Sequence, residues 1–322
     1  MTLFDTILDR SVIGGYSRAG FALRARTWHD DPSPDALAGR TVVVTGATSG
    51  IGAAIAARVA ASGGRPILVG RDADRAEEVR ASIVRRRPGA SPAIELCDVS
   101  DLSAVRELAR RLSDSVVDAI VHNAGVMPPE RTESADGHEL SLATHVLGPV
   151  LLTESLAPRL DASPDGRVVF MSSGGMYTSP LPVDDLEYRR GDYRGARAYA
   201  RSKRVQVSLL PILAARWPGT MVAGMHPGWV DTPGITASLP VFRRAVRPLL
   251  RDADEGADTA AWLLATRPTP PSGRFWHDRV ARPTHYLGGS DDGVSAVWRQ
   301  VADACDIEPD GRDRRVKARR NP

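Results

Sequence analysis

The sequence predicts a doubly wound α/β fold, a parallel sheet covered by helices on both faces. Three observations carry that prediction. Short β-branched runs recur from residue 41 onward, and they are apolar without alternation. Strands buried on both faces read this way, because neither face is left for water. Helix-period segments separate the runs, which is the pattern of right-handed βαβ units. A glycine-rich turn follows the first run directly.

The elements can be justified in order. TVVVT (41–45) is a buried strand, and IGAAIAARVAASG after it is a helix ending at Gly63 and Gly64. PILVG (66–70) is the second strand; ADRAEEVRASIVRRR is the next helix, stopped by Pro88. AIEL (93–96) precedes SDLSAVRELARRL, where Ser100 or Asp101 is the N-cap residue type. DAIVHN (118–123), RVVFMSS (167–173) and MVAGMHP (221–227) continue the series. Residues 41–300 are expected to form one catalytic-size domain. Residues 1–40 form an amphipathic leader interrupted by Gly14 and Gly15, which either packs over the domain, the favoured reading, or lies on a membrane surface. Residues 301–322 end in DGRDRRVKARRNP and are expected to be a charged, flexible tail.

Composition bounds the function. Of 322 residues, 42% are hydrophobic and 25% charged, as in a globular protein with ample core. A formal charge of +3, without basic-aromatic clustering, gives no case for nucleic acid. Cys97 and Cys305 make neither a disulfide framework nor a ligand spacing, so a reducing compartment, the cytoplasm, is expected. The histidines offer no metal spacing. No apolar run is expected to span a bilayer, and the N-terminus has no signal-peptide pattern.

TGATSGIG (45–52) sits where the first strand turns into the first helix. Gly46, Gly50 and Gly52 let the backbone turn tightly and approach a pyrophosphate, whose charge sits at the helix N-terminus. Thr48, Ser49 and Ile51 belong to the same cradle. The second strand ends in Gly70 and Arg71, where an NAD-preferring site carries an acid against the ribose. A guanidinium suits a ribose phosphate, so NADP(H) is expected over NAD(H); Asp72 facing the ribose would argue the other way. Asp98 and Val99 follow the third strand, with Asp98 at an adenine edge or in a plain turn. Asn123, Ala124 and Gly125 end the fourth strand, where small residues allow close approach of a cofactor.

Taken together, TGATSGIG, HNAG, the serine in FMSSGG, YARSK and HPGWVDTPG resemble the motifs of the classical short-chain dehydrogenase/reductases, over residues 41 to about 290. The leader, MSSGGM, MHPGWVDTPG and SGRFWHDR resemble its dehydrogenase/reductase member twelve subgroup. The resemblance implies a Rossmann-type three-layer α/β/α domain with about seven strands, homo-oligomeric, transferring hydride between a nicotinamide and a carbonyl or alcohol. It implies Ser173 as the substrate-orienting serine, with Ser172 turned into the fold. Tyr199 becomes the proton exchanger, and Lys203 holds the nicotinamide ribose and shifts the tyrosine. The stretch Pro227, Gly228, Val230, Thr232 lies along the nicotinamide.

The chemistry argues for the same trio. Tyr199 and Lys203, four apart, leave one face of a helix. A tyrosine titrates near 10, and an ammonium one turn away is expected to lower that value. His145 stands where the family has an asparagine; it is either a titrating relay or a packed residue. Met176, Tyr177 and Pro180 line a pocket or a surface loop, and Trp229, Ile235, Leu239 and Phe242 edge a candidate lid. Their character hints at a lipophilic substrate. The alternative to an enzyme is a dinucleotide sensor without chemistry, whose mark would be loss of Tyr199 or Lys203.

Overall fold

All five residues of β1 (Thr41–Thr45) are buried, and alternate side chains leave toward two different cores. Val43 joins one cluster, with Ile120, Val168 and Phe170; Val42 and Val44 join the other, with Val121, Val169 and Met171. This two-sided burial is why the strands read as continuous apolar runs. The computed structural model describes residues 12–28, 31–232, 244, 246–285 and 292–310.

Ahead of β1 come α1 (Val12–Tyr16) and α2 (Arg18–Ala25). After it follow α3 (Gly50–Ala61), β2 (Arg65–Gly70), α4 (Ala73–Arg86), β3 (Ala93–Leu96), α5 (Leu102–Arg111) and β4 (Ala119–His122). The second half adds α6 (Leu140–Ala162), β5 (Gly166–Met171), α7 (Gly195–Arg216), β6 (Thr220–Met225), α8 (Ala253–Ala265), β7 (Arg274–His277), β8 (Val280–Arg282) and α9 (Val294–Cys305). The sheet runs β3-β2-β1-β4-β5-β6-β7-β8. All neighbours are parallel except the β7–β8 hairpin. The architecture is thus a three-layer Rossmann fold with eight strands, one more than expected. The extra strand is β8, three residues long and too short to announce itself.

Two expectations change here. Helix α6 is 23 residues long and apolar enough to cross a membrane, which the strand-and-helix reading denied. Its apolar face is instead consumed by the core, with Leu147, Val150, Leu151 and Leu160 among its buried residues. Helix α9 runs through the boundary drawn at residue 300. Val301, Ala302 and Cys305 are buried against the α6–α7 side, because their spacing continues one apolar stripe.

The strand order reverses between β1 and β4, which pair through Val42–Ala119, Val43–Ile120 and Val44–Val121. Crevices open at this switch point beyond the carboxyl ends of the strands. Asn123 holds it together: its side-chain amide donates to the carbonyls of Thr45 (3.0 Å) and Gly46 (3.2 Å). Thr45 Oγ1 in turn accepts from the amides of Asn123 and Ala124.

Candidate active site

A crevice of about 390 Å³ opens at the switch point. Its walls include Gly46, Thr48, Ser49, Gly50 and Ile51 from the glycine turn, and Asn123, Ala124 and Gly125 from the end of β4. Arg71, Asp98, Val99, Tyr199 and Thr232 complete the expected residues that line it. Gly46 has φ +65°, and a Cβ there would lie 2.8 Å from Ala124 Cα, so both conformation and space require glycine. The side chain of Ser49 does not cap α3, whose N-terminus opens on this wall.

Other expected residues stand behind the walls. Gly52 packs α3 onto the strand turn, beside the Gly46 carbonyl carbon and Asn123. Pro227 and Gly228 lie against Arg251, and Val230 is buried beside Gly256. Ser173 and Lys203 likewise are not part of these walls; the Lys203 amine lies 5.5 Å from the Tyr199 ring centroid.

At the adenosine end, Asp72 caps α4, accepting from Arg75 N at 3.1 Å and pairing with the Arg75 guanidinium at 3.2 Å. It does not line the crevice, whereas Arg71 and Arg75 both do. Gly70 is occupied from outside by Thr48, whose Cγ2 fills the space a side chain would take. Arg71 pairs with Asp98 at 3.0 Å, largely in solvent. Asp98 accepts from Ser100 N and Oγ; burial opposes its ionisation, but these bonds and Arg71 together hold its carboxyl below the usual range.

At the other end, Ser173 is near enough to Tyr199 to ease ionisation of its phenol, and it caps the short helical turn Gly174–Thr178 by accepting from Gly175 N at 3.1 Å. Ser172 points inward, donating to the Lys203 carbonyl at 3.2 Å. Lys203 is 2% exposed; its ammonium donates to Met171 O at 2.7 Å and lies 5.5 Å from the Tyr199 ring centroid. Burial pushes the Lys203 amine down to about 7. Burial also raises the half-buried Tyr199 phenol, with the Ser173 hydroxyl acting in the opposite sense. The expected lowering by an ammonium is therefore not what the fold itself produces. The same loss of solvent that raises the phenol disfavours the neighbouring charge.

His145 is decided by its partners. Its Nε2 accepts from Val126 N at 3.0 Å, so the proton sits on Nδ1, which donates to Ser202 Oγ at 2.8 Å. Ser202 Oγ donates onward to the Tyr199 carbonyl at 2.8 Å. Burial, then the Lys203 charge, hold the imidazole neutral, far below its ordinary value. It stands edge-on to Tyr199, with centroids 5.2 Å apart, within a π turn spanning Ala143–Leu147. The packed reading, not the titrating one, describes this residue.

The short chain dehydrogenase family model matches residues 40–182. Cattle dehydrogenase/reductase SDR family member 12 is 37% identical over 84% of this chain and 86% of its own. The chain belongs to the short-chain dehydrogenase/reductase family. Human retinol dehydrogenase 12 is 33% identical, over 75% of this chain and 78% of its own. A structure described as an NAD(P)-dependent gluconate 5-dehydrogenase from Beutenbergia cavernae, with NADP at low occupancy, superposes with a TM-score of 0.60. It is 29% identical and covers 73% of this chain and 92% of that one.

As a short-chain dehydrogenase/reductase the protein is an NAD(P)-linked oxidoreductase for CH–OH/C=O pairs, with a tyrosine at its active-site region. Several residues in this site escaped the sequence reading. Arg75, in the first turn of α4, joins Arg71, which precedes the helix, in the crevice wall. Val126, Met127, Leu140 and Thr144 line the space near Tyr199 but carry no motif. Met176 is fully buried core rather than pocket, and Tyr177 is spent on the Pro283 carbonyl at 2.6 Å. Ile235, Leu239 and Phe242 lie outside the described residues.

Proposed function

We propose that the protein is an NADP(H)-dependent oxidoreductase for a lipophilic carbonyl or alcohol, with Ser173, Tyr199 and Lys203 as its catalytic residues. The observation that carries this reading is the grouping of Ser173, Tyr199 and Lys203 at one end of the crevice, with Tyr199 in its wall and the Lys203 amine 5.5 Å from the phenol ring centroid. The walls fit a dinucleotide. Gly46 leaves room for close backbone approach, the α3 N-terminus favours a pyrophosphate, and Arg71 with Arg75 suits a ribose 2′-phosphate. Asp98 stands where an adenine edge would meet it.

Bound there, the nicotinamide supplies or takes the hydride. Tyr199 supplies or takes the proton at its hydroxyl, while Ser173 fixes the distance of the shared oxygen. Lys203, half charged near neutrality, assists the phenol only in its protonated form. Val126, Met127 and Leu140 give the reacting end an apolar wall, which supports a lipophilic substrate. Retinol, the alcohol in the name of one relative, is of that class. Two buried cysteines, whose thiols burial pushes up to about 12, suit a reducing cytoplasm. Homo-oligomeric assembly is proposed on family membership alone.

The test is NADPH oxidation with decanal, retinal and 9,10-phenanthrenequinone. Turnover by the wild type, abolished in Tyr199→Phe with NADPH binding kept, supports the reading. Binding without turnover would make the protein a dinucleotide sensor instead.

A further inference from the structure

Helix α1 ends against the turn that carries Ser173. Tyr16, the last residue of α1, is 5% exposed. Its ring stands edge-on to His226, Trp229 and His277, with centroids 4.6, 6.2 and 5.3 Å away. A Cβ on Gly174 would lie 2.5 Å from Tyr16 Cε2, so the ring fills the space over the residue that follows Ser173. The Tyr16 carbonyl accepts from Trp229 N at 2.9 Å, and a Cβ on Gly228 would lie 2.8 Å from that oxygen. One leader residue therefore touches the segments leaving β5 and β6 together.

Its neighbour is anchored by buried charge. Gly15 O accepts from Arg24 Nη1 (3.0 Å) and Arg251 Nη2 (3.1 Å), and His277 Nε2 lies 3.1 Å from it. Both guanidiniums also pair with Asp278, at 2.8 Å from Arg24 and 2.6 Å from Arg251. Asp278 and Arg279, with φ of 50° and 60°, make the two-residue turn between β7 and β8. Displacing α1 would take the Gly15 carbonyl away from two buried guanidiniums, which favours keeping Tyr16 where it stands. By contrast, the Ser173–Gly174–Gly175 turn has no bulky side chain of its own to fix it.

We propose that Tyr16 is a positioning residue: its ring holds the Ser173–Gly174 turn against Tyr199 and so sets the geometry of the proton-exchanging pair. The inference rests on the catalytic assignment proposed above. A shift of about 1 Å at such a pair costs on the order of 100-fold in rate. Tyr16→Ala should then lower kcat about tenfold or more, while KM and NADPH affinity stay within about twofold, and Tyr16→Phe should restore the rate. Gly174→Ala, which drives a methyl group into the ring, should also lower kcat. Combined with Tyr16→Ala it should do less harm than the product of the two losses.

The assay is the same three-carbonyl panel, run well below each variant's melting temperature. An unchanged kcat with a lowered melting temperature would show that Tyr16 is merely structural and overturn the proposal. Strict multiplicativity in the double variant would overturn it too. Should Tyr16→Ala fail to fold, Gly174→Ala decides alone, because it changes no leader residue; wild-type kcat in that variant refutes the inference. Tyr199→Phe separates the two readings. If it abolishes turnover and the Tyr16 and Gly174 variants do not lower it, only this inference falls. If Tyr199→Phe stays active, or the wild type turns over none of the panel, the catalytic assignment falls and takes this with it.

Discussion

Lys203 shows what burial does to a residue whose role its spacing already suggested. The folded chain gives up the Lys203 proton near pH 7, against an ordinary value of 10.5. Between those values the unfolded chain binds more protons, so stability rises with pH across that window and the gain is lost as pH falls toward 7. Urea midpoints at pH 7, 8 and 9 should rise less in Lys203→Met than in the wild type, and parallel curves would refute the shift. His145 makes the complementary case. With both ring nitrogens committed and the imidazole held neutral, His145→Asn should leave the apparent pKa values of the rate profile in place. It should cost about 1–3 kcal/mol of stability through unsatisfied partners. A moved pH profile would restore the titrating role.

Elements were legible to the extent that they repeat. The six named strand runs became β1–β6, five of them because a strand buried on both faces shows as an uninterrupted apolar run; β3 lies at the sheet edge, only partly buried and carrying Glu95. Strand β7 has only four residues and β8 three, too few for a period to emerge. The apolar stripe of α9, at Val297, Trp298, Val301, Ala302 and Cys305, was present in the letters but lost beside the charged residues that follow. That helix is structural. Trp298 is buried, bonds the Pro309 carbonyl through Nε1 at 2.9 Å, and carries the Arg216 guanidinium 5.4 Å over its ring. Trp298→Ala should cost about 3–5 kcal/mol in urea unfolding while leaving kcat near the wild-type value. Loss of less than about 1 kcal/mol would place the helix outside the cooperative core.

For the molecule as a whole, a dinucleotide that binds only the folded state must stabilise it. At 100 times its dissociation constant the gain is about 2.7 kcal/mol, which a thermal scan resolves. NADPH should raise the melting temperature more than NADH at equal concentration, and Arg71→Ala should shrink the NADPH shift while sparing the NADH one. Equal shifts for the two cofactors in the wild type would remove the basis for the phosphate preference. The Arg71–Asp98 pair is mostly solvated, so turning the guanidinium toward a phosphate sacrifices little.

What the sequence determined by itself was the succession of strands and helices, the glycine turn after β1, and the tyrosine and lysine on one helix face. These are local properties: periodicity, backbone freedom and side-chain spacing act over a few residues and can be read off neighbouring letters. The tertiary structure alone decided that Asp72 caps a helix, that His145 is neutral, that Lys203 sits near pH 7 and that Tyr16 reaches Gly174. Each of those depends on which distant segment excludes water from a group or supplies its partner. Solvent exclusion is a property of the assembled layers, and no stretch of the chain contains it.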